Sequence, residues 1–117
     1  MPAITRRSLL ALTGAAVAID PASADVRTSL RLQALIAAHE AAYAEFNRVV
    51  HRAASSRDDR EQADRVEQET LLAVCSFPVI SRTDRRTKTK YLLAVEARGE
   101  LDLPEYIQAI LHSMMQS

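Results

Sequence analysis

From Leu32 onward, apolar or small side chains recur every three or four positions, at Leu32, Leu35, Ile36, Ala42, Tyr43, Phe46, Val49, Val50 and Ala53. A period of 3.6 residues gathers these side chains on one face of an α-helix, whereas a strand would scatter them over both faces. A stripe this long has to be buried, so the rest of the chain must supply stripes of the same kind.

Three further segments do so. Ser56 followed by Asp59 has the spacing of a capping box, and it predicts a second helix from near Arg57 to Phe77, where Pro78 disfavours helix at the residue before it. Its expected buried stripe is Ala63, Val66, Thr70, Ala73, Val74 and Phe77, with Leu71 and Cys75 at the margin. Ser81 and Asp84 repeat the cap pattern for a third helix over 82–98, with Tyr91, Leu92 and Val95 inside and Gly99 as a left-handed stop. Asp102 and Glu105, with Pro104 tolerated in the first turn, announce a last helix ending near Met115. Leu103, Ile107, Ile110, Leu111 and Met114 are expected to face inward from it.

Only 2 glycines and 4 prolines interrupt a chain rich in alanine and leucine, which further disfavours extended sheet. With 117 residues there is room for one domain. The expected fold is all-α, a small four-helix arrangement in which a long antiparallel helical hairpin is capped by two shorter helices.

The amino-terminal 24 residues read differently. Two arginines, Arg6 and Arg7, precede an uncharged run from Ser8 to Ile19, and Ala22 and Ala24 offer the small side chains that a signal peptidase accepts. Residues 1–24 are therefore expected to be a signal peptide cleaved after Ala24, leaving 25–117 as a helical domain in the periplasm or secreted. Thr5-Arg6-Arg7-Ser8-Leu9-Leu10-Ala11 resembles the twin-arginine export motif, with Thr before the pair and Ala where lysine is usual. The alternative is a cytoplasmic protein with a frayed amphipathic start. As a helix the uncharged run would span only about 18 Å of a hydrocarbon layer about 30 Å thick, so no stable membrane span is expected after processing.

The 15 basic and 15 acidic side chains cancel, and removing Arg6, Arg7 and Asp20 leaves 13 basic and 14 acidic, a net charge of minus one. No global field draws in nucleic acid or acidic lipid. Local charge is uneven, because Arg82, Arg85, Arg86, Lys88 and Lys90 crowd the start of the third helix, with Arg82, Arg86 and Lys90 along one side. That side is a possible phosphate-binding face. The competing reading is a solvated face answered by Asp58, Asp59, Glu61, Asp64, Glu67 and Glu69 of the second helix. Lys88 points instead toward Tyr91, Leu92 and Val95, and its ammonium is expected to reach Glu67 or Glu69.

Little else carries chemistry. His39 and His51 lie about 18 Å apart along one helix and cannot share a metal. His39 falls on the apolar face near Leu35, Tyr43 and Phe46, where a histidine bonded to a neighbouring carboxylate is expected. Cys75 is the only cysteine, which rules out an internal disulfide, and its apolar setting points to packing rather than nucleophilic work. Glycine-rich phosphate loops, His-Glu-x-x-His stretches and nucleophile elbows are missing, so no catalytic, cofactor-binding or metal residue is assigned.

Leu71-Leu72-Ala73-Val74-Cys75 followed by Lys88-Thr89-Lys90-Tyr91-Leu92-Leu93 resembles small uncharacterised helical proteins of alphaproteobacteria, some with twin-arginine-like leaders. The resemblance implies fold and origin, and it transfers no activity, substrate or cofactor. The expected function is that of an exported, non-enzymatic interaction module that meets a protein partner or a second copy. The alternative is a cytoplasmic nucleic-acid-binding protein using Arg82, Arg85, Arg86 and Lys90, which near-neutral charge disfavours.

Overall fold

The computed structural model describes residues 21–116, which form α1 (Pro21–Val50), α2 (Arg57–Ser76), α3 (Arg82–Ala97) and α4 (Pro104–Met115). No strand occurs among the described residues. The predicted leader lies outside them up to Asp20, and Ala22 and Ala24 fall at the start of α1.

Cross-helix contacts set the directions. Pairing of His39 with Glu67, and of Ala42 and Val49 with Val66 and Ala63 around one surface cleft, makes α1 and α2 antiparallel. Ser29 meets Asp84 and His39 meets Tyr91, so α3 runs alongside α1 in the same sense. Leu71, Val74, Cys75, Leu92, Val95 and Tyr106 form the buried centre, with Leu35, Ile36, Leu103 and Ile110 packed against it. Each fully buried leucine or valine contributes roughly 1.5–3 kcal/mol through its removal from water. That centre lies between α2, α3 and α4, where α1 adds its flank.

Caps account for the boundaries. Ser56 and Asp59 make the predicted capping box reciprocally. At α3, Ser81 Oγ accepts from the Asp84 amide, but the Asp84 carboxylate accepts from Ser29 Oγ at 2.7 Å instead of reaching back. Gly99, at φ 78°, ends α3 in a Schellman motif, its amide donating to Glu96 O and that of Glu100 to Val95 O. The Asp102 cap is corrected. Pro104 opens α4 and holds Leu103 extended, which makes Leu103 the N-cap and leaves Asp102 one residue outside.

Two stripes are also corrected. On α2 the buried residues are Ala63, Glu67, Leu71, Val74 and Cys75, while Val66 is exposed. Leu71 and Cys75 are thus central rather than marginal, because the stripe includes a charged residue that an apolar pattern passes over. On α4, Tyr106 and Ser113 are buried, whereas Ile107, Leu111 and Met114 are exposed. The tyrosine ring and the small serine allow close approach to α2 and Lys88, which turns the aliphatic residues outward. Ala53 lies in the turn after α1 and is exposed.

Candidate functional site

The interior holds two polar clusters, both built on charged residues within helix stripes. The first surrounds His39, midway along α1 and fully buried. Its Nε2 lies 2.8 Å from Glu67 Oε2 on α2 and its Nδ1 lies 2.5 Å from Tyr91 Oη on α3. A carboxylate can only accept, so in the neutral ring Nε2–H donates to Glu67 and Nδ1 accepts from the Tyr91 hydroxyl. The Schellman turn after α3 brings Glu100 to the same nitrogen, with its Oε1 at 4.0 Å.

Arg98 closes this cluster from outside. Its guanidinium donates to Glu100 Oε1 at 2.9 Å and stacks 4.1 Å above the Tyr43 ring. Burial above all, with Glu40 adding repulsion, pushes the Tyr91 hydroxyl up to about 12, so it remains a neutral donor or acceptor at ordinary pH. His39, Glu67 and Glu100 offer one nitrogen and two oxygens within 4.8 Å of one another, a donor set that suits a divalent cation.

The second cluster centres on Lys88, only 5% exposed. The expected pairing with Glu67 or Glu69 is not what forms. Nζ donates to Cys75 O at 2.8 Å, Phe77 O at 2.7 Å and Ser113 Oγ at 2.8 Å. These carbonyls belong to the end of α2, where helix geometry leaves acceptors unsatisfied and a partial negative charge accumulates. Glu67 is already held by His39, so the ammonium caps a helix instead. Burial pulls its pKa below the ordinary lysine value, and all three donors are engaged, leaving none for a ligand.

Cys75 is fully buried, and burial pushes its thiol up to about 11 against the opposing charge of Lys88. It fills the core, as expected. Arg82, Arg85, Arg86 and Lys90 are all exposed on α3. Among the described residues none of them forms an ion pair with the acidic side chains of α2, so the expected internal charge matching is absent. Arg6 and Arg7 lie outside the described residues. His51 bonds the Asn47 carbonyl, and His112 is exposed.

The carboxylate expected beside His39 is present as Glu67, but sequence reasoning did not identify it and missed the convergence of Tyr91 and Glu100 on the same ring. A signal for Glu67 was present, since it stands four residues after Ala63 and four before Leu71. Glu100 had none, because only the Schellman turn places it. No helix among the described residues is long and apolar enough to cross a membrane. No family model, curated protein or solved structure matches the chain.

Proposed function

We propose that this protein is an exported helical module that works by binding rather than by catalysis, with a second copy docking on the outer flank of α4. One observation carries the reading. Ile107, Leu111, Met114 and Met115 are 48%, 55%, 65% and 83% exposed, and no Asp, Glu, Lys or Arg occurs between Tyr106 and Gln116. An uncharged stripe at spacings of four and three is a poor solvent face and a good helix-packing face. A two-fold axis would set each stripe antiparallel against its own copy without burying a charge.

Light scattering after gel filtration of the full chain tests the docking. The expected mass is that of a dimer, with Leu111→Gln and Met114→Gln shifting it to monomer while helicity is unchanged. A monomer at every concentration overturns the reading. Export is tested on protein recovered from its native host, where the first residue is expected to be Asp25, and an intact Met1 or Pro2 start in the cytoplasm removes it.

The exposed, unpaired bases of α3 favour a second reading, in which Arg82, Arg86 and Lys90 hold nucleic-acid phosphates. Affinity for DNA or RNA that falls steeply with salt would support it, and absence of binding at low salt would remove it.

A further inference from the structure

We propose that His39, Glu67 and Glu100 bind one divalent first-row transition-metal ion, of which Zn2+ is the probe. The site is independent of the α4 flank. Its donors come from α1, from α2 and from the turn after α3, so an ion there would tie three parts of the fold together.

Geometry is close to what such an ion needs. From His39 Nε2, the Glu67 and Glu100 oxygens stand at 2.8 Å and 4.0 Å. Ligand atoms about 2.0–2.1 Å from a tetrahedral Zn2+ lie roughly 3.3 Å from one another, between those two separations. All three ligand atoms lie within 4.8 Å of one another, and rotations within the two glutamate side chains would draw them to that spacing. A fourth position is left for water.

The surroundings match those of a metal-bound imidazole. Tyr91 engages Nδ1 and fixes the ring so that Nε2 faces both carboxylates. Arg98 donates to Glu100 Oε1, the oxygen nearest the ring, so on metal binding that carboxylate bridges the guanidinium and the ion. The Glu100 side chain is 16% exposed, against 0% for His39, so the ion has a way in. Nε2 carries one N–H, and its hydrogen bond goes to Glu67. Glu100 receives none from the ring at 4.0 Å, whereas a dication on Nε2 would satisfy both carboxylates together.

Binding requires a defined proton rearrangement. The neutral ring gives up its Nε2 proton and takes one at Nδ1 by exchange through solvent, while the Tyr91 hydroxyl turns from donor to acceptor. Charge on the ring is unchanged, and the lone pair freed on Nε2 forms the bond to the metal.

Chelator-treated full chain without a polyhistidine tag is titrated with Zn2+ in a calorimeter, with Mg2+ as an oxygen-preferring control. One Zn2+ per chain is expected, Mg2+ binding no better than weakly. Glu100→Gln and Tyr91→Phe should each weaken Zn2+ by about 10- to 100-fold with helicity retained. Nitrogen-15 NMR should show the His39 proton move from Nε2 to Nδ1 at saturation. His39→Gln risks the fold, so Glu100→Gln carries the test. Failure of the parent protein to bind stoichiometrically, equal binding by Glu100→Gln, or retention of the Nε2 proton in saturating Zn2+ overturns the proposal.

Discussion

Lys88 Nζ donates to the Cys75 carbonyl at 2.8 Å, so a buried ammonium rests on the final turn of the helix that precedes its own. It takes up Phe77 O and Ser113 Oγ as well, and thereby links α2, α3 and α4 through one atom. A buried cation of this kind is tolerated because its donors are all satisfied and the helix end supplies partial negative charge.

Lys88→Met keeps the apolar stem and strands these acceptors. Each unsatisfied buried acceptor costs about 1–3 kcal/mol, partly offset by relief from burying a charge, so a net loss of about 2–4 kcal/mol is expected. Urea unfolding followed by circular dichroism measures it. Glu67 belongs to the His39 cluster and shares no partner with Lys88. A double-mutant cycle of Lys88→Met with Glu67→Gln should therefore be additive within about 0.5 kcal/mol.

The His39 pair responds unequally to its two partners' replacement. His39→Ala leaves the Glu67 carboxylate, on a side chain 11% exposed, without the donor that holds it, and the expected cost is about 3–5 kcal/mol. Glu67→Gln keeps an acceptor oxygen for Nε2–H and removes a buried charge, with an expected cost of about 1 kcal/mol. Equal losses in urea unfolding would show that the ion-pair character of the contact matters more than its hydrogen bond.

Legibility of the fold followed from how local each signal was. The Ser56 and Ser81 caps, Pro78 and Gly99 act within a few residues, and the helix starts they predict are the ones observed, with the ends one residue earlier, at Ser76 and Ala97. Helix faces were less legible where polar residues are buried. Glu67, Asp84 and Lys88 each occupy a core position, so counting apolar residues rotated α2 away from Leu71 and Cys75. On α4 the aliphatic side chains outnumber the buried Tyr106 and Ser113, and the pattern therefore selected the exposed flank. The His39 cluster draws on residues 28, 52 and 61 positions away, separations that no local motif encodes.

The orientation of α4 can be tested with neighbouring substitutions. Tyr106 is 3% exposed and Ile107 is 48% exposed. Tyr106→Ala should cost about 3–5 kcal/mol by opening a cavity beside Leu71 and Cys75. Ile107→Ala should cost less than about 1 kcal/mol in the monomer, because solvent already covers much of that side chain. The reverse order in urea unfolding would put the sequence-predicted face back inside.

Alkaline stability should report the second cluster, with a sign fixed by burial. The Cys75 thiol ionises near 9.0 when unfolded and at about 11 when buried. Between those values the folded chain keeps a proton that the unfolded chain has released, so stability falls as pH rises through that window and is fully present below it. Lys88 acts oppositely, because burial lowers its pKa and the unfolded chain holds the extra proton. Tyr91, raised from 10.0 to about 12, and Tyr106, likewise pushed up by burial, add a further loss that sets in as pH approaches 10. Urea midpoints measured from pH 8 to pH 10 should therefore decline in the parent protein from about pH 9. In Cys75→Ala, which starts lower because of its cavity, the decline over the same interval should be smaller, since the thiol's share is gone and the early ionisation of Tyr91 and Tyr106 in the unfolded chain is opposed by Lys88. Parallel declines in the two proteins would mean that the buried thiol is not the group being titrated.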